Sequence, residues 1–168
     1  MLKKINTIMV NIAQTISIIA IFLLALSLFT GVLARYVFLV SIPEIEPIRK
    51  FCIMWLVFMG SALAIKDKEH LEIDIFTEYL SDRVAKVRDI IVYVLTFAAV
   101  IILLFIGIAA FKAGLTRKEL VPIRFLSERP SLTYYYSAFL VGTIFMVYFQ
   151  VLNLKQFFRK GTKEVNDK

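Results

Sequence analysis

The sequence predicts an all-α integral membrane protein with four transmembrane helices, both termini in the cytoplasm, and a short amphipathic segment between helices 2 and 3. Three observations support this fold class. Hydrophobic residues make up 60% of the 168-residue chain, against roughly 45–50% in ordinary soluble domains. Four long stretches contain no Asp, Glu, Lys, Arg or His, and the basic residues lie outside them, in the connections and at the two ends. We therefore expect the bilayer to be the solvent for most of this chain.

Each of the four uncharged stretches is a candidate span. At 1.5 Å per residue, the third stretch forms a helix of about 33 Å, which matches a hydrocarbon core of about 30 Å. The second reaches a sufficient length if it begins near residue 48, because Arg49 and Lys50 can extend their charged groups out of the bilayer. The first is longer than the apolar region of a cleavable signal, about 7–15 residues, so we expect it to be retained. The prediction is a single four-helix membrane domain over residues 1–168, with spans at about 8–36, 48–65, 90–111 and 133–154.

The distribution of lysine and arginine predicts the orientation. Twelve of these residues lie in the N-terminal segment, the 66–89 connection and the C-terminal tail, and eight lie in the other two connections. Cytoplasmic segments of membrane proteins carry the excess of positive charge. The bias therefore places both termini in the cytoplasm and the connections near 37–46 and 113–133 on the opposite face.

The spans lack the groups that usually mark a chemical site or transport path. A proton-coupled pump is expected to bury an acid within a span, and a haem-binding anchor supplies axial ligands from its spans. The four spans contain no Asp or Glu, and His70, the single histidine, lies beyond the second span. The only thiol, Cys52, has no partner for a disulfide within the chain. We therefore expect no cofactor and no enzymatic activity, and favour a supporting subunit of a larger membrane assembly.

The charged segment after the second span holds His70 and Asp74. As a metal site it is weak, since zinc generally needs three convergent nitrogen or sulfur ligands. The favoured interpretation is a helix end or a partner contact at the cytoplasmic surface. The following residues fit a short amphipathic helix, with apolar side chains at three- or four-residue spacing: Phe76, Leu80, Val84 and Val87. Alternatively, Ser81 caps a helix that leads into the third span.

Further candidate residues lie near the opposite ends of the spans. Arg35 and Tyr36 close the first span, either as interfacial anchors or as a contact with another helix or subunit. Trp55 lies one turn into the second span, where it suits an interfacial belt or a packing position. The basic and aromatic connection before the fourth span does not suggest nucleic acid, because its predicted face is extracytoplasmic. A protein partner with an acidic surface and a plain solvated loop both remain open.

A run of these residues resembles a known family. Arg35-Tyr36-Val37-Phe38 closes span one, WLVFMGSALA follows from Trp55, and His70, Ile73 and Asp74 come next. This set is similar to the small membrane subunit, DctQ/SiaQ-like, of tripartite ATP-independent periplasmic (TRAP) transporters. The specific part covers residues 35–74, and the four-span topology covers most of the chain.

The resemblance implies a subunit of a sodium-coupled transporter in the bacterial inner membrane that imports an organic acid, of the sialic acid or dicarboxylate class. Its implied partners are a large membrane transport subunit, which carries the solute, and a periplasmic substrate-binding protein. By position, the resemblance carries over structural or subunit-interface roles to Arg35, Tyr36, Trp55, Gly60, His70 and Asp74. Glu46 and Arg49 lie one residue out of the family's usual register with Trp55, so they carry over less directly. The alternatives are a membrane anchor of an oxidoreductase and a self-sufficient small transporter.

Overall fold

The computed structural model describes residues 2–67, 82–120 and 129–166, and most of them are helical. The four helices are α1 (Leu2–Tyr36), α2 (Ile45–Asp67), α3 (Asp82–Thr116) and α4 (Thr133–Asn166). Each is long and apolar enough to cross a membrane. Within the described ranges the only β-type pairing is an isolated bridge between Lys118 and Ser131. The all-α class with four helices of membrane-spanning length is therefore confirmed.

Several helices extend beyond the apolar stretches that predicted them. Helix α1 begins at Leu2, and α4 continues to Asn166. Leaving the bilayer does not interrupt i to i−4 hydrogen bonding, so a helix continues until a residue breaks it. Of the predicted amphipathic segment, Val84 and Val87 lie within α3 itself. Phe76 and Leu80 lie outside the described residues, so the form of that segment stays a prediction.

The four helices form an open row. Helix α1 packs on α2, α2 packs on α4, and α4 packs on α3, which gives the order α1, α2, α4, α3. Helices α1 and α2 run in opposite directions, since Gly31 near the end of α1 faces Ile45 at the start of α2, and so do α3 and α4, since Gly114 approaches Thr133. Helices α2 and α4 run parallel, since Phe51 contacts Tyr135 near their starts and Asn153 contacts Ile65 further along. The connections 37–44 and 117–132 therefore share one end of the row, called here the two-loop end. The N-terminus, the C-terminal part of α4 and the end of α2 share the other, the termini end.

Helix α1 contacts its neighbour through one narrow strip. Its buried and half-buried positions recur at alternating four- and three-residue spacing, the pattern of left-handed helix pairs. The strip consists mainly of small residues, which allow two backbones to approach closely in lipid: Asn6, Val10, Ala13, Ser17, Ala20, Leu24, Ser27, Gly31 and Ala34. The rest of α1 exposes large apolar side chains. Among the described residues, helix α1 is therefore attached along one side only.

Helix α3 is attached to α4 by a similar strip, at Tyr93, Thr96, Val100, Leu103, Gly107, Ala110 and Gly114. A Cβ on Gly107 would lie 3.3 Å from Oγ1 of Thr143. A Cβ on Gly114 would lie 2.9 Å from the backbone nitrogen of Thr133. The glycines thus mark the places where α3 and α4 come closest.

The inner pair, α2 and α4, holds the centre of the fold. Phe58 stacks on Phe139 with ring centroids 4.4 Å apart. A Cβ on Gly142 would clash with the Cβ of Phe58 and lie 3.1 Å from its carbonyl carbon. Met59 and Phe149 are 0% and 1% exposed. Large side chains therefore interlock with a glycine here, whereas the outer strips use small residues along their length.

Polar groups of α4 also tie the helices together near the termini end. The Asn153 amide donates to the carbonyl of Ile65 at 2.7 Å. The Tyr93 hydroxyl donates to the carbonyl of Gln150 at 3.2 Å, and the Gln150 amide donates to the carbonyl of Tyr93 at 3.4 Å. In a bilayer such groups must find protein partners, because lipid tails offer none. Helix α4 is thus bonded to both of its neighbours.

Candidate partner-contact site

Two of the predicted site residues form an ion pair at the two-loop end. Glu46 and Arg49 lie one turn apart at the start of α2, with a carboxylate oxygen 3.7 Å from Nη2. The guanidinium of Arg49 also reaches α1, where Nη2 is 3.7 Å from the position of a Cβ on Gly31. Its Nε is buried and has no hydrogen-bond partner among the described residues. Arg49 therefore links α1 to α2 and keeps one donor available.

A second ion pair stands beside the first and joins α2 to the α3–α4 connection. Nζ of Lys50 is 3.8 Å from Oε1 of Glu119, whose side chain is only 6% exposed. The same carboxylate accepts a hydrogen bond from the backbone N–H of Leu120 at 3.1 Å and one from the side chain of Tyr135. These three partners offset the cost of removing the carboxylate from water.

The segments that flank Glu119 and begin α4 are also fixed by backbone hydrogen bonds. The N–H of Glu119 donates to the carbonyl of Pro130 at 2.8 Å, and the N–H of Leu132 donates to that of Arg117 at 3.0 Å. The Ser131 hydroxyl donates to the carbonyl of Gly114 at 2.7 Å and accepts from the N–H of Thr133. Ser131 thus ties the start of α4 to the end of α3. These hydrogen bonds join the described ends of the α3–α4 connection to each other and to the two helices.

Trp55 lies deeper, one turn below Phe51. Their rings make an edge contact with centroids 6.2 Å apart, and Phe51 makes a similar contact with Tyr135 at 6.5 Å. The indole Nε1 of Trp55 is buried and has no hydrogen-bond partner within the described part of the chain. An indole N–H usually finds a partner when it is buried. Trp55 therefore packs within this chain and retains one unused donor.

Arg35 and Tyr36 are both exposed at the end of α1. The guanidinium carbon of Arg35 lies 6.0 Å from the centroid of the Tyr36 ring, at the outer limit of a cation–π contact. Tyr36 is 73% exposed. The structure thus places this pair at the two-loop end, on the edge helix and facing outward.

Gly60 stands apart from the charged residues, near the middle of the membrane. A Cβ built on it meets no atom within 4 Å, unlike one built on Gly142. Its neighbours at helical spacing are exposed, and together they define the open face of α2: Glu46, Lys50, Ile53, Val57, Gly60 and Ser61. The packing of α2 against α1 and α4 leaves this face uncovered by any other residue that the structure describes.

His70 and Asp74 lie outside the described residues, so their predicted contact role stays a prediction. The structure brings Glu46 and Arg49 together, and it separates them from Gly60, which lies over ten residues further along α2. Among the residues described, no group of three His, Cys, Asp or Glu side chains could hold a metal ion. What this arrangement offers chemically is ion pairing, hydrogen bonding and close helix contact.

Sequence reasoning missed Glu119 and the polar residues of α4. Glu119 is the single acid between Arg117 and Arg124, a signal that it would be paired locally. In α4, Thr143, Gln150 and Asn153 recur at spacings of seven and three in an apolar helix, which indicates one buried face. All three are buried in the structure. The sequence analysis considered only ionisable groups within the spans, and these three side chains are polar but uncharged.

Comparison with known proteins agrees with this architecture. The family model described as "Tripartite ATP-independent periplasmic transporters, DctQ component" matches residues 24–160. A Haemophilus influenzae protein, provisionally named as a TRAP transporter small permease protein, is 26% identical over 159 residues, covering 92% of this chain and 88% of that protein. The family match spans α2 and α3 in full, most of α4 and part of α1. This chain therefore belongs to the DctQ component family of tripartite ATP-independent periplasmic transporters and is a multi-pass protein of the bacterial inner membrane.

Proposed function

We propose that this chain is the small permease subunit that braces the large membrane subunit of a TRAP transporter. In this role it carries no solute and performs no catalysis. The assembly imports an organic acid, a sialic acid or a dicarboxylate, and is driven by a sodium gradient. The family match supports a transporter component and does not favour the oxidoreductase anchor.

The open row of helices is the observation that carries this proposal. A row has two broad surfaces and surrounds no central space, so it suits lateral contact with another membrane protein better than passage of a solute. Helices α1 and α3 each pack on one neighbour, and most of their apolar surface is exposed within this chain. A brace needs such extended lateral surfaces.

The open face of α2 is the part of this surface that we assign to the large subunit. Gly60 and Ser61 lie on it with no side chain above Gly60, so a helix of the partner can approach the backbone closely. The charged end of the same face carries Glu46 and Lys50, each fixed by an ion pair. The apolar contact at Gly60 and the charged residues at the end of the same face would together fix how far the partner helix is shifted along α2.

The two-loop end is proposed to face the periplasm, as the excess of basic residues at the opposite end indicates. Its exposed basic side chains outnumber the acids there and include Arg35, Lys112, Arg117 and Arg129. A positively charged surface attracts an acidic one and speeds the encounter. We therefore expect an acidic region of the substrate-binding protein to approach this end during delivery of the solute.

Reconstituted uptake tests the bracing role. Liposomes would contain the large subunit with or without this chain, with the binding protein outside, an inward sodium gradient, and labelled sialic acid or a four-carbon dicarboxylate. We expect uptake of one of these acids only when all three proteins are present, and loss of uptake when choline replaces sodium. Liposomes with this chain alone should show no uptake above protein-free liposomes. Full uptake without this chain would overturn the proposal.

A further inference from the structure

The turn that follows α1 exposes an unusual run of apolar side chains. Tyr36, Val37, Phe38, Leu39, Val40 and Ile42 are 73%, 64%, 69%, 86%, 54% and 40% exposed. They are called here the apolar turn. Water would meet most of this surface if the turn stood free, and exposed apolar surface of this extent is usually covered. The question is which surroundings cover it.

Three backbone N–H groups of the apolar turn donate to carbonyl groups at the end of α1, so they need no water as a partner. The N–H groups of Val37 and Phe38 both donate to the carbonyl of Leu33, at 2.9 and 3.3 Å. The N–H of Val40 donates to the carbonyl of Ala34 at 2.9 Å. Leu39 has a φ of 54°, a left-handed conformation that leucine rarely adopts. The turn thus satisfies these donors internally and directs its side chains outward.

The depth of the turn follows from the helix beside it. From Arg49 to Lys66, α2 is about 26 Å long, close to the hydrocarbon thickness of about 30 Å. Gly31 of α1 lies opposite Arg49, and Tyr36 is five residues further, about 8 Å along the axis. The bond from Val40 back to Ala34 keeps the turn at this level. The headgroup layer adds about 5–7 Å on each side of the hydrocarbon, so the turn lies within it.

We propose that the apolar turn inserts into the boundary between headgroups and acyl chains of the bilayer and anchors the free edge of α1. Apolar side chains with an Arg and a Tyr beside them are suited to this layer, where rings and chains are buried and charges reach water. The occupant is phospholipid, and the site exists in the isolated chain. This inference rests on membrane insertion alone and does not depend on the transport role.

A single tryptophan at the turn would test this inference directly, because Trp55 is the only tryptophan. The full chain with Trp55→Phe would carry Leu39→Trp or, as a position free of the left-handed constraint, Phe38→Trp. Nanodiscs would contain phosphatidylglycerol and phosphatidylcholine brominated either high on the acyl chain or near its end. Phe22→Trp, 67% exposed at mid-span of α1, is the reference for deep hydrocarbon. Dissolved N-acetyltryptophanamide is the reference for water.

We expect blue-shifted emission from the turn reporters and stronger quenching by lipid brominated high on the chain than by lipid brominated near its end. The Phe22→Trp reporter should show the opposite preference. Emission like that of the dissolved reference, with no quenching, would overturn the inference. The inference concerns the isolated chain, so quenching there supports it even if partner subunits abolish the quenching. Absence of quenching in the isolated chain would contradict it.

A second label leaves Trp55 in place and covers the case in which Trp55→Phe does not fold. Cys52→Ala with Leu39→Cys would carry a nitroxide, whose collisions with oxygen report lipid and whose collisions with a nickel chelate report water. Oxygen should dominate if the turn is in the bilayer. Dominance of the nickel chelate in the isolated chain in nanodiscs would place the turn in water and contradict the inference.

Discussion

The most hydrophobic helices of this protein, α1 and α3, lie at the edges of the row, and the less hydrophobic α2 and α4 lie inside it. A protein in water would show the opposite arrangement. The edge helices are the more hydrophobic, yet only 6% and 11% of their most apolar windows are buried, against 22% and 39% for α2 and α4. Lipid tails solvate apolar side chains as well as protein does, so hydrophobicity alone does not drive a helix inward. Polar groups and close packing decide position instead, and α4 has both.

The comparison also separates two uses of glycine. Gly142 and Gly114 sit where neighbouring atoms leave no room for a Cβ, whereas Gly60 sits on a face with nothing above it. The first kind holds this chain together. The second kind leaves a surface that another helix can use. Substitutions at these glycines and at the polar contacts test this distinction.

Gly142→Leu should disrupt the inner pair. Even a Cβ here collides with Phe58, including its backbone, and helix backbones cannot move aside without separating α2 from α4. We expect a loss of about 3 kcal/mol or more in the free energy of unfolding, at the upper end for overpacked sites. Unfolding by SDS in mixed micelles measures this value. A variant as stable as the wild type would show that α2 and α4 are not in close contact.

Gly114→Ala should loosen α3 from α4, while Gly31→Ala should not loosen α1 from α2. The added methyl lies 2.9 Å from a backbone nitrogen in the first case but 3.7 Å from the nearest atom in the second. We expect a cost of about 1–3 kcal/mol for Gly114→Ala and no loss for Gly31→Ala. The matched pair is compared in the same micelle titration. Equal effects would contradict the packing described for the two edges.

Asn153→Leu should lower the free energy of unfolding by about 1 kcal/mol, since hydrogen bonds between membrane helices contribute about this much or less. The substitution removes the donor to the carbonyl of Ile65 and keeps a side chain of similar size. Val151→Leu, at an exposed position on the same helix, is the control. Identical melting temperatures of the two variants would mean that this hydrogen bond does not stabilise the fold.

Glu119→Gln should lower the free energy of unfolding by a smaller amount, about 0.5–1 kcal/mol. The reason is that Lys50 is half exposed and can be hydrated once its partner is neutral. Glu46→Gln removes an ion pair whose carboxylate is 50% exposed, and we expect no measurable change from it. Thermal unfolding at low salt and at high salt compares the two. A larger loss of stability for Glu46→Gln than for Glu119→Gln would contradict the conclusion that the Lys50–Glu119 ion pair is the more buried of the two.

The sequence predicted the four helices because long uncharged stretches allow few other structures in a bilayer. It did not predict the row order, because most side chains on every side of the four spans are apolar, so hydropathy carries little information about which helices are neighbours. It did not identify Glu119 as buried either, since its partners Lys50 and Tyr135 come from distant helices.

The most direct test of the central claim, that α2 keeps an open face for the large subunit, is co-purification with Gly60→Leu. Within this chain the new side chain meets open space, so the variant should unfold like the wild type, in contrast with Gly142→Leu. We predict that it nevertheless recovers markedly less large subunit from co-expressing cells and supports less uptake. Wild-type recovery of the large subunit by a normally folded Gly60→Leu chain would contradict the account.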